Sequence, residues 1–180
     1  MNARWKRDLS ISYVSVGDIL AKQGNAAGSL ERHRMAQSLL ETLAAADTAD
    51  VRSRQDLSMI CQTLGDALLE QGRFSEARKN YARAVAIAEE VSRIDPINAE
   101  ARARLAGSYE SLGSLEERIA SAATNRPTAR RNWLEARSWY ERSRTVWLEL
   151  RKQNAVAGLN EGQAQELAEA ISRCDSALRK

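Results

Sequence analysis

Little in this chain can build a sheet, a metal centre or a disulfide framework. Its 180 residues include two prolines, two cysteines, one histidine and one phenylalanine, and aromatics make up 5%. Cys61 and Cys174 lie far apart, in no Cys-x-x-Cys pair and at no metal-ligand spacing, so neither zinc nor a stabilising bridge is expected. There is no second histidine, no Gly-rich phosphate loop and no convergent set of carboxylates, which leaves catalysis without a constellation. The expectation is a protein that is not an enzyme and has no cofactor and no metal. The opening Met-Asn-Ala-Arg-Trp-Lys-Arg-Asp has no apolar centre of the secretory kind, and no run is long enough to span a bilayer, so a cytoplasmic location with reduced thiols is expected.

What is abundant is Ala, Leu, Glu, Arg and Gln, a composition that favours helix and predicts an all-α chain. Charge adds little: the first ninety residues balance at 12 basic and 12 acidic, and the second ninety carry 15 and 12, so the net +3 lies in the C-terminal half.

The most informative pattern is a repeat at an offset of 48 residues. Leu9, Leu57 and Leu105 fall in register, then Tyr13, Cys61 and Tyr109, then Val16, Leu64 and Leu112, then Gly17, Gly65 and Gly113. Within each unit this spacing traces one stripe of an α-helix. Asn2, Asp50 and Asn98 share the period and read as helix N-caps. Gly24 and Gly72 each come after a glutamine, where the first helix must stop and the chain reverse. The second helix of the central unit carries Ala77, Tyr81, Ala84, Val85, Ala88 and Val91 on one stripe and stops before Asp95-Pro96. Small residues alternate with large ones, which places Gly65 and Ala84 as holes for a side chain such as Tyr81. In the first unit His33 takes the slot of Tyr81, a packing role, and Cys61 in its apolar stripe reads as an inert core thiol.

The third unit starts in register and then departs. Ala136 and Tyr140 match Ala77 and Tyr81 only at an offset of 59, so about eleven residues are inserted, with Asn125-Arg126-Pro127-Thr128 expected as a loop inside the insertion. Gly158-Leu159-Asn160 breaks the chain again, and a last helix presents Leu167, Ile171, Cys174 and Leu178 on one face, the form of a cap on an open stack. The expected organisation is one domain, 1–180, of three units, 2–49, 50–97 and 98–157, with a capping helix over 161–178.

The phrase Cys61-x-x-Leu64-Gly65-x-x-Leu68, then Gly72, then Ala77-x-x-x-Tyr81-x-x-Ala84, resembles the tetratricopeptide repeat, whose pattern is Trp-x-x-Leu-Gly-x-x-Tyr and then Ala-x-x-x-Phe. The family period is about 34, and the extra residues here fit two added turns on each helix. The phrases around Trp5–Tyr13, Ala136–Ser143 and Ile171–Leu178 resemble the C-terminal repeat regions of bacterial signalling proteins. The resemblance implies an α-α superhelix of three antiparallel helix pairs plus the cap, acting as a noncatalytic scaffold for a protein or peptide, or as the C-terminal regulatory module of a larger bacterial signalling protein. It further implies a concave wall lined by first helices, with ligand contacts at Val14, Asp18 and Lys22, at Gln62, Asp66 and Glu70, and at Glu110, Ser114 and Arg118. The wall is mixed, with acidic character, and lacks the basic, Asn-rich clamp that some family members use for a terminal carboxylate. Self-association is left open, and no membrane partner is expected.

A second polar feature runs over 126–144, where Arg126, Arg130, Arg131, Arg137, Arg142 and Arg144 interleave with Trp133, Trp139 and Tyr140. Arginine with aromatics also holds single-stranded nucleic acid, so a nucleic-acid-binding helical repeat is the alternative. It is the weaker one, because Tyr140 and one tryptophan are needed in the core.

Overall fold

A computed structural model describes residues 2–153 and 162–179. The described residues form seven α-helices and no strand: α1 Ala3–Lys22, α2 Ala26–Ala46, α3 Val51–Glu70, α4 Phe74–Ile94, α5 Ala99–Ala122, α6 Arg126–Lys152 and α7 Gln163–Leu178. The all-α expectation therefore holds. None of these helices is long and apolar enough to cross a membrane. The break expected at Gly158-Leu159-Asn160 lies outside the described residues. The chain divides into two compact units, Met1–Ile87 and Ala88–Lys180.

In the first unit the punctuation falls where the period places it. Asn2 accepts a hydrogen bond from the Arg4 amide at 3.0 Å and Asp50 one from the Ser53 amide at 3.2 Å, so each side chain satisfies a donor that its helix leaves open. Gly24 and Gly72 have φ of +78° and +70°, the left-handed geometry in which a Cβ is strained. Each lies at the turn into the next helix, and Asn25 caps α2 through the Gly28 amide at 2.9 Å. The α3–α4 pair is antiparallel: Asp66 meets Tyr81, and farther back along α3 the Ser58 hydroxyl donates to the Ala84 carbonyl at 3.0 Å. Its core, Leu57, Ile60, Cys61, Leu64, Leu68, Ala77, Tyr81 and Ala84, is buried. Each large member contributes about 1.5–3 kcal/mol by leaving water. Arg7 of α1 adds a polar clasp to α3, reaching Asp50 at 2.8 Å, Ser53 at 2.6 Å and Asp56 at 3.2 Å.

In the second unit Asn98 caps α5 through the Ala101 amide at 3.0 Å. The core gathers Ala106, Ala136, Tyr140, Trp147, Leu150, Leu167, Ala170 and Cys174, so α7 is packed into it. Leu167 and Cys174 are buried as the stripe requires. Ala170 joins them, whereas Ile171 and Leu178 are only half-buried.

The loop expected at Asn125–Thr128 is not a loop. Asn125 is the N-cap of α6, accepting from the Thr128 amide at 2.9 Å, and Pro127 sits in the first turn, where its missing N–H leaves no helical bond unmade. The inserted residues are absorbed as helix. From the register glycine to the end of the first helix there are nine residues in α5 (113 to 122) against five in α3 (65 to 70), a gain of four. From the start of the second helix to the register tyrosine there are fourteen in α6 (126 to 140) against seven in α4 (74 to 81), a gain of seven. Four and seven account for the eleven, and the connection stays at three residues, 123–125 against 71–73.

Candidate partner-binding surface

The face expected to meet a partner is built on a device that recurs in every unit. A glycine of the first helix lies flat against a ring of the second. A Cβ at Gly17 would come within 2.5 Å of the His33 ring, one at Gly65 within 2.4 Å of the Tyr81 ring, and one at Gly113 within 2.6 Å of the Tyr140 ring. The polar edge of each ring meets a carboxylate of the first helix: His33 Nε2 lies 3.1 Å from Asp18, the Tyr81 hydroxyl donates to Asp66 at 2.6 Å, and the Tyr140 hydroxyl donates to Glu117 at 2.7 Å. His33 is buried in the slot its sequence position implied. In the third unit Ser114 stands at the register of Asp18 and Asp66 and is too short to reach the ring, so the acceptor moves one turn on, to Glu117.

This device assigns duties to residues expected to face a ligand. Asp18 and Asp66 lock a ring as well as bordering the surface. Burial pushes the Asp66 carboxyl above the ordinary aspartate range, with the Tyr81 hydrogen bond opposing. Glu110 is more committed: it accepts from the Ser143 hydroxyl at 2.8 Å, the Trp147 indole at 2.8 Å and the Gln163 amide at 2.7 Å, tying α5 to α6 and α7. Lys22, Glu70, Ser114 and Arg118 are exposed, and Val14 and Gln62 are half-buried.

Only some of the expected residues come together. In the first unit Val14 and Asp18 line a groove of about 330 Å³ between α1 and α3, floored by Leu40 and Ile60 and edged by Ile11 and Met59. Lys22, Gln62, Asp66 and Glu70 do not line it. In the second unit Glu110 and Ser114 line a smaller hollow of about 190 Å³ with Gln163, Glu166 and Arg173 of α7, and Arg118 stands apart. Ile11 and Met59 are not among the residues that the sequence pattern marks. They are 55% and 48% exposed, large and apolar at the mouth of the groove. A signal for them exists in the sequence, since they are 48 apart and lie outside the buried stripe.

The basic segment is engaged in structure in part. Arg137 pairs with Asp175 at 2.9 Å and Glu141 at 3.1 Å, and Arg142 lies over the rings of Trp139 at 4.8 Å and Tyr109 at 5.8 Å. Trp147, outside 126–144, is the buried tryptophan. Arg130 and Arg131 are exposed with no carboxylate partner among the described residues, and Arg126 and Arg130 edge a cleft of about 510 Å³ with Trp133 and Leu178. No group of histidines, cysteines and carboxylates suited to a metal occurs among the described residues.

No curated protein matches the chain. Among solved structures it is similar to a de novo designed helical repeat protein, DHR64, at 13% identity over 98% of this chain and 82% of that one, with a TM-score of 0.48. It is also similar to a filament, DHF58, at 14% identity over 98% and 84%, TM-score 0.47, and to the MamA protein at 15% identity over 96% and 93%, TM-score 0.22. At that level the fold rests on the helices described above. The family comparison is local: residues 58–91 match the tetratricopeptide repeat. That span holds Leu64, Gly65, Gly72, Ala77, Tyr81 and Ala84, the residues that make the crossing, the turn and the ring lock. The central hairpin of this chain thus matches the tetratricopeptide repeat, with helices that run beyond both ends of the matched span.

Proposed function

We propose that the chain is a noncatalytic scaffold that holds a protein or peptide segment against its first helices, with the groove between α1 and α3 as the principal contact. The observation carrying this reading is the pairing of exposed Ile11 and Met59 across an apolar floor, with Val14, Ser15, Asp18 and Thr63 around it. Concave apolar surface with a few polar groups at the edge suits an apolar side chain of a bound segment. Asp18 would favour a basic neighbour on that segment. Lys22, Gln62, Asp66, Glu70, Ser114 and Arg118 would extend the contact, and Glu110 would support it by position. The three helix pairs 2–49, 50–97 and 98–157 and the cap 161–178 would form one domain, serving alone or as a regulatory module of a larger signalling protein.

The test is selection of binding peptides from a displayed random library, then affinity measurement with Ile11→Asp and Met59→Asp. Each substitution should weaken the selected peptides at least about tenfold, since it sets a charge against the apolar contact. Glu70→Lys, outside the groove, should change affinity less. Undiminished binding to both groove variants would refute the assignment.

The cleft at Arg126, Arg130 and Trp133 is what favours the second reading, a nucleic-acid contact. It would show as single-strand binding that falls steeply with salt and is lost in Arg130→Glu with Arg131→Glu.

A further inference from the structure

The ring locks of the central and third pairs use a tyrosine, whereas the first uses His33, the one histidine of the chain. A phenol is ordinarily neutral below about pH 10, but an imidazole ordinarily exchanges its proton between about pH 5 and 8. His33 is 3% exposed, with its ring against Gly17 and its Nε2 3.1 Å from Asp18 Oδ1. Its Nδ1 is buried with no hydrogen-bond partner among the described residues, and so is the Ser29 hydroxyl. No carbonyl or carboxylate therefore fixes the proton count of the ring from that side. Ser29 lies four residues before His33, on the same helix face, and a hydroxyl can turn to donate to a bare nitrogen or to accept from a protonated one. Asp18 in turn borders the α1–α3 groove. It is 53% exposed, and His33 is its only hydrogen-bond partner among the described residues. The Asp18–His33 pair thus carries one negative charge when the ring is neutral and none when it is protonated.

We infer that His33 sets the charge Asp18 offers to a ligand, so that the groove holds a segment bearing lysine or arginine in mildly alkaline solution and loosens it as the ring takes up a proton. The inference rests on the groove reading above and adds its regulation. His33 is then a positioning residue that acts through Asp18. The other charged groups on the elements around it are committed elsewhere or stand off. Lys22 of α1 is exposed one turn beyond Asp18. Arg34 and Glu41 of α2 pair with Glu76 and Arg83 of α4. From α3, the Cys61 thiol is held by Gln37, one turn on from His33, and Asp56 pairs with Arg7, which lies eleven residues before Asp18, about 16 Å along α1.

The probes are peptides with blocked termini, selected on the whole chain at about pH 8, each paired with a version whose basic residue is glutamine. Affinity is measured from about pH 8 to about pH 5.5, and calorimetry in two buffers of different ionisation heat counts protons. The basic peptide should weaken about fivefold over that range, the worth of one exposed ion pair, while the glutamine version stays level. Binding of the basic peptide near the middle of the range should release protons, because the peptide's cation and the proton on His33 compete for one carboxylate. His33→Tyr installs the lock of the other two pairs and should bind the basic peptide with a level profile and no proton release. Asp18→Asn, of the same size, should bind it weakly at every pH, and it serves if the slot rejects a tyrosine; circular dichroism verifies both folds. Asp66, whose carboxyl burial pushes above the ordinary range, does not line the groove, and a response carried by it would persist in His33→Tyr. Such persistence, a level wild-type profile, or selected peptides without a basic residue would overturn the inference and leave the groove reading standing. Peptides still held by Ile11→Asp and Met59→Asp would overturn both.

Discussion

A methyl group added at Gly65 should destabilise the protein, against the general rule that alanine is the better helix residue. An ideal Cβ there would lie 2.4, 2.5 and 2.8 Å from Cε1, Cδ1 and Cζ of Tyr81. Carbon atoms at optimal contact are about 3.5–4.0 Å apart, so the ring must retreat by about 1 Å. It has little room to do so: Tyr81 is 1% exposed, and its hydroxyl is held by Asp66 at 2.6 Å. Overpacking of this kind costs about 1–3 kcal/mol, and the gain from replacing a mid-helix glycine returns about 1 kcal/mol, so Gly65→Ala should lose about 1 kcal/mol net. Gly107 of α5 supplies the control, because nothing lies within 4 Å of its Cβ direction. Gly107→Ala should gain up to about 1 kcal/mol, so the two variants should differ by about 2 kcal/mol. Urea denaturation monitored by circular dichroism and by fluorescence reads both, the second probe testing whether the two units unfold together. The coupling is specific: with Tyr81→Leu in the background, the loss from Gly65→Ala should shrink or vanish. Gly65→Ala as stable as Gly107→Ala would refute the ring-on-glycine account of the hairpin.

Burial holds the Cys61 thiol above its ordinary range and that of Cys174 at about 11, so both should resist a thiol reagent in the native protein and react once denatured; prompt native labelling would contradict the packing. Burial first, and the hydrogen bond to Glu89 second, push Tyr109 to about 12, and Tyr140 shifts the same way for burial and Glu117. The neutral phenol is thus favoured in the folded state, so this contribution is intact below about pH 10 and is lost as pH rises toward 12. Tyrosinate absorbance and unfolding should therefore rise together in that window, and full ionisation without unfolding would contradict the prediction. Glu110→Ala strands the donors of Ser143, Trp147 and Gln163, and should cost about 2–3 kcal/mol and alter Trp147 emission; an unchanged denaturation midpoint would show that the clasp is replaced by water.

The backbone is largely legible in the sequence because its signals are local. Capping residues, left-handed glycines and one-sided stripes act within a few residues of themselves, so Asn2, Asp50, Asn98, Gly24 and Gly72 declare their roles without any knowledge of tertiary contacts. The insertion misleads for a related reason. Asn125-Arg126-Pro127 carries proline, which ends helices from within but starts them from the first turn, and only the helical run of 128–152 beyond it distinguishes the two. The binding face is less legible. An exposed carboxylate at the register of Asp66 looks the same in sequence whether it waits for a ligand or holds Tyr81, and Glu110 depends on donors 33, 37 and 53 residues away. Ile11 and Met59 are hard to single out because periodicity marks the buried stripe, and a groove is lined by the residues that stripe leaves over.

The added helix in the third pair has a bearing on how such chains can change length. Four residues advance a helix by about 400° and seven by about 700°, so each addition leaves the faces within about 40° of where they were, whereas a single extra residue would turn every later side chain by about 100°. Part of the central hairpin follows the same arithmetic: residues 58–91 match the family over 34 residues, and the 48-residue span 50–97 has eight before them and six after. Seven of those eight, 51–57, are the opening of α3. Length added to a helix in near-whole turns therefore lets a hairpin reach farther while the crossing at its glycine needs no new residues.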